Sequence, residues 1–394
     1  MSAGDSSPEG SPAPSNAKYR LFVISASLCN FATTGVVICF SVFQDWYQRS
    51  LFPSQNSATI ALIGSLQLSV FLCVSHVNIP PQKKIMMAGA LLCVAAWIWC
   101  SLARSIAEII IAQGLMFAVG AGILHATTTS FGTQYLEGSV LALLIPSGSL
   151  FGALFWSVVV KLLTVYAVAS AAHRIIAVIT ASLLSCSLMI MCLCGSSSLP
   201  GEPEPAQPKT LCRKLLKVGS SLFLYMGLSM PLTYLAFWGA DSALGGICDY
   251  LPAVFQGFAV IGHFSSLYLG RWVSSGRLLL VETGVVGLLT LTFPIMVTTV
   301  LMGVAAASLG LFTGHILVTE FAKHQLQSGN LVINTALPCL GLLSGGPVCA
   351  FIIQASDGGR FGVCFFAGGC LVLSWCLGEC LERIYEESGE KLLA

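Results

Sequence analysis

Residues 195–217 read GSSSLPGEPEPAQPKTLCRKLLK, and this stretch decides how the rest of the chain is parsed. Its prolines (Pro200, Pro203, Pro205 and Pro208) break any regular helix through its first two-thirds, and Arg213, Lys214 and Lys217 close it with positive charge. On both sides lie long apolar runs separated by short polar breaks. Working outward, six runs precede it: 21–43, 58–77, 85–103, 106–130, 138–160 and 174–194. Six follow it: 218–240, 250–269, 278–293, 294–319, 329–355 and 361–379. A helix crosses the hydrocarbon core with about 20 residues, so each run is a candidate span. Residues 278–317 are nearly continuous, and the Thr-Phe-Pro break at Thr292–Pro294 is the only punctuation that makes two spans of them. Without it the count falls to eleven and the C-terminus changes sides.

Composition agrees with this parsing. Hydrophobic residues make up 56% of the 394 and charged residues 9%, against about 25% charged in a soluble domain. Such a sequence can cover itself with a lipid-facing surface and hardly with a water-facing one. A net charge of +1 without a dense basic face gives no sign of nucleic acid. Residues 1–20, rich in Ser, Pro and Gly, lack an apolar h-region and read as a disordered tail, not a cleaved signal. Of the 16 cysteines, most fall inside apolar runs, where Cys packs as a small hydrophobe, and no Cys/His spacing suggests a metal. No cofactor motif is present.

Cationic side chains test the topology. With the N-terminus in the cytoplasm, the cytoplasmic segments hold Lys18, Arg20, Lys83, Lys84, Lys209, Arg213, Lys214, Lys217, Arg271, Arg277, Lys323, Arg383 and Lys391. The opposite side holds Arg49, Arg104, Lys161, Arg174 and Arg360. This asymmetry supports twelve spans with both termini inside; a multi-pass protein, of the plasma membrane, is the expectation. The expected fold is therefore an all-α polytopic membrane protein of two six-helix bundles, 21–194 and 218–379, joined by the linker 195–217 and ending in a cytoplasmic tail, 380–394. Two such halves around an axis along the membrane normal are the major facilitator architecture.

Particular residues carry a closer resemblance. Gly35, Phe40, Val42, Phe43 and Gln44 near the end of span one, followed by Ile63, Gly64, Ser65, Leu66 and Gln67 in span two, resemble the fungal branch of the monocarboxylate-transporter-like family. Ala112, Gln113, Gly114, Gly120 and Gly122 resemble its fourth span, Ser147, Gly148, Ser149 and Gly152 its fifth, and Gly270-Arg271 its eighth. The departures are as informative. The usual Asp-Gly-Gly-Trp opening is Ala17-Lys18-Tyr19-Arg20, and the charged turn after span two has become Asn78-Ile79-Pro80-Pro81-Gln82-Lys83-Lys84. Leu136-Glu137-Gly138 stands where a basic pair usually precedes span five. Carboxylate-carrying members have a Lys in span one and an Asp four residues before the span-eight Arg; here Val37–Cys39 are apolar and that second position is Leu267. The resemblance thus implies a carrier of a small organic solute, monocarboxylate-like or a secondary metabolite, without implying lactate or pyruvate.

Polar groups inside spans need a reason, because hydrocarbon offers them no partner. Five are candidate solute-binding residues: Arg271, His125, His263, Asn30 and Asn334. A guanidinium at Arg271 could clamp an anion or a carbonyl with its planar donor fork, or snorkel to headgroups. His125 and His263 could bind solute or a proton, since imidazole titrates near neutrality, or bond a neighbouring helix. A proton is accordingly a candidate coupling ion. Asn30 and Asn334 could face the cavity or act as interhelical glue, as could Gln67 and Gln113. Glu282 could pair with Arg277, remain at the interface or carry a proton, and Asp249 is expected in a solvated link. Gly148-x-x-x-Gly152 allows close helix approach, and Pro231 breaks the ladder of span seven. No ATP-binding motif is present, so a gradient or the solute itself would drive alternating access. An intramembrane enzyme would need clustered acids that these spans lack. A transport-fold sensor or a degenerate non-transporting protein stays open as the alternative.

Overall fold

The computed structural model describes residues 16–77, 79, 82–135, 140–194, 211–241, 248–270, 272–295, 298–323, 331–356 and 359–387. Among them are twelve long helical segments and no strand. They are α1 (residues 16–51), α2 (Ser57–Ser75), α3 (Lys83–Leu102), α4 (residues 106–135), α5 (Val140–Tyr166) and α6 (Ala169–Cys194), then α7 (Leu211–Asp241), α8 (Leu251–Leu269), α9 (Ser275–Thr292), α10 (Thr299–Lys323), α11 (Leu331–Ala355) and α12 (Arg360–Glu387). Eleven hold a stretch apolar and long enough to cross a membrane; the twelfth, α8, is 19 residues without an Asp, Glu, Lys or Arg. The chain is an all-α polytopic membrane protein.

Local chemistry sets the helix ends. The Asn56 side chain accepts from Ala58 N and starts α2. Ser105 and Glu108 form a capping box at the start of α4: each side chain serves the other residue's turn, and Glu108 also accepts from Arg104 N. Ser274 caps α9. The expected break at Thr292–Pro294 is where α9 ends, in a 3₁₀ turn over Phe293–Ile295. Three helices run past the expected boundaries: α1 begins at Asn16, α7 at Leu211 and α12 ends at Glu387. Ala, Leu, Lys, Arg and Glu in these flanks are good helix formers, so a turn begun in lipid propagates into the interface.

The packing repeats with a step of six helices. In the first half α1 packs on α5 and α6, α2 on α4, and α3 on both α4 and α6. In the second α7 packs on α11 and α12, α8 on α10, and α9 on both α10 and α12. Details repeat too. Ser25 and Ser187 each donate to the other's carbonyl, at 2.7 and 2.8 Å, pinning α1 to α6. Ser220 and Ser374 do the same between α7 and α12, at 3.0 and 2.8 Å. Gly148 and Gly152 let α5 lie on the α1 backbone at Ser27 and Phe31, while Gly341 and Gly345, with the same spacing, let α11 lie on α7 at Leu222 and Met226.

The halves meet along seams of α2 against α11 and α5 against α8, and α1 also packs against α7. At the first, Gln354 donates to Asn56 Oδ1 at 2.7 Å and Ser69 to Cys339 O at 2.9 Å. At the second, His263 Nε2 lies 3.0 Å from Ser147 Oγ. The peripheral helices α3, α6, α9 and α12 turn Met87, Leu91, Val178, Met189, Leu288 and Phe365 outward, the lipid-facing surface.

Candidate functional site

A strip of buried polar groups crosses the molecule from α4 to α10. It begins at His125 on α4, whose Nδ1 is 3.0 Å from Asn30 Oδ1 on α1. An amide oxygen only accepts, so Nδ1 carries the proton. Thr34, one turn on, donates to the same oxygen, and Phe71 of α2 packs edge-on against the imidazole. The Asn30 amide in turn donates to Ile145 O of α5 at 3.3 Å. Beside it Ser27 donates to Leu144 O, so the α5 backbone next to Pro146 takes two side-chain bonds from α1. Ser147 then reaches across the seam to His263 of α8. One turn along α8, Ser266 donates to Glu282 Oε1 of α9 at 2.7 Å, and Glu282 Oε2 lies 2.6 Å from His315 Nδ1 of α10. Asn30, His125, Ser147, His263, Ser266, Glu282 and His315 are all buried.

A second cluster belongs to the first half alone. Tyr47 Oη lies 2.5 Å from Gln113 Oε1 and 3.1 Å from His173 Nε2, and Gln113 continues to Gln67. His173 Nδ1 donates to Ala169 O, so Nε2 of the neutral ring accepts the Tyr47 proton. With both amides turned, Gln67 donates to Gln113 and Gln113 to Tyr47 Oη, which leaves the Tyr47 proton for His173. Tyr47 and Gln113 both sit in π-helical turns, Tyr47–Leu51 and Ile110–Phe117. Wider turns of this kind offset side chains from the α-helical register.

A third group is ionic and lies past the apolar part of α1. Arg49 Nε holds Asp45 Oδ1 at 2.6 Å, and Lys161 of α5 lies 3.9 Å from Asp45 and 3.5 Å from Asp249, just before α8. Arg49 also donates to Phe237 O of α7 and stacks over the Phe237 ring. One cluster thus ties both halves together at a single face. Burial pushes the Asp45 carboxyl above the ordinary carboxylate range, although Arg49 and Lys161 pull against it.

Asn30 and His125 are brought together by the fold; His263 joins the same strip across the seam. Arg271 lies outside the described residues. Asn334 is on α11, and its side chain lies outside them too. Two expectations are corrected. Glu282 pairs with His315 and Ser266, while Arg277 turns to Glu382 at 3.4 Å, because a buried carboxylate takes the partner that shares its burial. Asp249 is not merely solvated; it meets Lys161. The Glu282–His315 pair had a signal in the sequence, a lone acid in one span and an imidazole in the next. Tyr47 and His173 had none, since nothing in their spacing says that three helices bring them to one point.

No family model matches the chain. Curated relatives do. It is 24% identical to the MFS-type transporter pynF of Aspergillus niger, across 89% of this chain and 85% of that protein. It is 22% identical to the fujikurins efflux protein of Gibberella fujikuroi, across 92% and 82%. Identity is also 22% to the aspyridones efflux protein apdF of Emericella nidulans, across 89% and 75%. MFS denotes the major facilitator superfamily, whose fold the twelve helices and their six-step packing repeat have.

Proposed function

We propose that this membrane protein of the major facilitator fold is a secondary-active exporter of a small, largely apolar organic molecule, a fungal secondary metabolite. The observation that carries the reading is the repeated packing: two halves built alike meet along α2–α11 and α5–α8, the geometry that rocking about a shared site requires. The relatives, named for the efflux of fujikurins and aspyridones, support the direction and the cargo class. Asn30, His125 and His263 are the polar contacts offered to the cargo, with Arg271 and Asn334 as further candidates. Few of the buried residues around them are charged, which suits an uncharged or singly anionic molecule.

The ionic cluster of Asp45, Arg49, Lys161 and Asp249, with the Asn56–Gln354 bond, closes one face. In this reading that face is extracellular, both termini are cytoplasmic, and the membrane is the plasma membrane. Kinship with the monocarboxylate-transporter-like branch is part of the reading; its motif residues Gly35 and Gly64 receive Gly152 and Phe40, so they shape helix crossings and leave the cargo open.

The test is deletion of the gene followed by untargeted metabolite comparison of cells and medium. One compound, or a family of related compounds, should rise inside the cells and fall outside. Identical profiles under conditions where the gene is expressed count against export. A compound that instead accumulates in the medium reverses the direction to uptake.

A further inference from the structure

The α2–α11 seam carries a pair of thiols, one from each half. Three contacts fix its register: Gln354 donates to Asn56 Oδ1 at 2.7 Å, Gly346 lies against Ser65, and Ser69 donates to Cys339 O at 2.9 Å. Residue numbers rise along α2 as they fall along α11, so the two helices run antiparallel. Cys73 stands one turn past Ser69 on the same face, which directs it back towards Cys339. The Cys339 thiol has the Cys73 thiol as a near neighbour. Cys73 is exposed and Cys339 half-buried, so a small reagent reaches at least one of the two sulfurs. Other neighbouring thiols differ in both respects. Cys29 and Cys93 are buried within the first half, and Cys349 and Cys364 within the second; thiols so placed pack as small hydrophobes.

We infer that Cys73 and Cys339 form a redox-sensitive site, which hydrogen peroxide joins as a disulfide, tying the two halves together at one end of their seam. The exposed Cys73 sulfur attacks one peroxide oxygen. The O–O bond breaks, the other oxygen leaves as water with the thiol proton, and Cys73 becomes a sulfenic acid. The Cys339 sulfur then attacks the Cys73 sulfur. The S–S bond forms, the S–O bond breaks, and a second water leaves with the Cys339 proton. In all, two thiols lose two electrons, and one hydrogen peroxide is reduced to two waters. A small dithiol reverses the step by exchange. The reacting form of a thiol is its anion, so oxidation within a membrane is slow beside that at a catalytic cysteine, and the site answers sustained exposure.

The consequence for rocking rests on the transport reading above. Cys73 is about 25 Å along the chain axis of α2 from Asn56. The thiols therefore sit towards the face opposite the Asn56–Gln354 bond, which that reading makes cytoplasmic. Opening the shared site to the cytoplasm has to part α2 from α11 at this end. The Ser69 hydrogen bond can break and reform as the helices separate; a covalent link beside it cannot. The oxidised protein thus keeps this end shut, while the reducing cytosol ordinarily leaves the pair as thiols.

The experiment reads the bond itself and needs no cargo. Purified full-length protein in phosphatidylcholine vesicles is exposed to hydrogen peroxide, remaining thiols are blocked with N-ethylmaleimide, and the unreduced chain is digested and mapped by mass spectrometry. The expected product is a peptide pair joined through Cys73 and Cys339, lost on treatment with dithiothreitol and absent from Cys73→Ser and Cys339→Ser. Hydrogen exchange supplies the second measurement. Amides of residues 69–75 and 335–342 should exchange about tenfold or more slowly once the wild type is oxidised, and at an unchanged rate in peroxide-treated Cys73→Ser. Should Cys339→Ser fail to fold, the exposed Cys73→Ser decides. Peroxide that leaves both thiols open to maleimide, or joins Cys73 to another cysteine, overturns the site. A Cys73–Cys339 link with unchanged exchange overturns the tether. Metabolite profiles that deny export leave the peptide map standing, and a map without the link leaves export to its own test, so the two failures are distinguishable.

Discussion

The two halves of this molecule share a skeleton and differ in what they bury. Ser25–Ser187 and Ser220–Ser374 are the same reciprocal bond at the same helix pair, and the glycines spaced four apart on α5 and α11 make the same crossing. The polar contents have no such correspondence. Within its spans the first half gathers neutral amides, imidazoles and a phenol around Asn30, His125, Tyr47, Gln113 and His173, and buries Asp45 beyond them; the second sets a carboxylate against an imidazole and holds the Tyr234 phenol on Gly346 O. Rocking needs two rigid bodies of similar build, so packing is held in duplicate. Chemistry is needed once, so each half is free to supply a different part of it.

The strongest way to break this comparison is at the crossings. A Cβ on Gly152 would lie 2.7 Å from Phe31 Cα, and one on Gly341 would lie 2.5 Å from Leu222 O. Overpacking costs about 1–3 kcal/mol and more where backbone cannot shift. Gly152→Leu and Gly341→Leu should each lose most of the monodisperse protein on fluorescence-detected size exclusion. If one is tolerated and the other is not, the crossings are not equivalent.

Next in size is Tyr47→Phe, which strands His173 Nε2 and has no counterpart in the second half. Leaving one buried group unsatisfied costs about 1–3 kcal/mol. The thermal midpoint in detergent should fall by several degrees, and an unchanged midpoint would show the cluster to be energetically idle.

A smaller effect is expected with pH. Burial raises the folded Asp45 carboxyl above its unfolded value, so protonation favours the folded state. Its contribution to global stability is fullest below the unfolded value of about 3.9 and declines as pH rises through the folded one. Acidification through the folded value should therefore slow hydrogen exchange in residues 45–56 and 248–255, after correction for intrinsic rates. Asp45→Asn should remove that dependence; if it persists, Asp45 is not its source.

The smallest expected effects sharpen the comparison. Ser25→Ala and Ser220→Ala each delete one side of a serine pair, and interhelical hydrogen bonds in membranes average about 0.6 kcal/mol. Near-equal losses in denaturant unfolding support equivalence. A threefold difference between them would show that one half depends on its pin and the other does not.

Much of the fold was legible in the sequence. Spans were readable because crossing lipid is a property of local composition, and even the weak split at Thr292–Pro294 stands where the backbone leaves α9. Helix ends were less so: residues 211–217 and 380–387 looked like linker and tail but extend α7 and α12. Of the site, polar residues within spans could be picked out one at a time, since each is costly there. Their partners could not. Glu282 was read towards Arg277 by nearness in sequence, whereas His315 was 33 positions away and one helix across.

By itself the sequence determined that the chain lives in a membrane, where it crosses and where it divides, because transfer of apolar side chains into lipid depends on each segment alone. Only the tertiary structure decided which polar groups meet: the Asn30–His125 contact, the His263–Ser147 bridge and the Glu282–His315 pair. It also revealed the repeat between halves, which rests on backbone proximity at serine and glycine positions and leaves most side chains free to differ. Hydrogen bonds act over about 3 Å, and distances that short between separate helices are set by how the bundles pack.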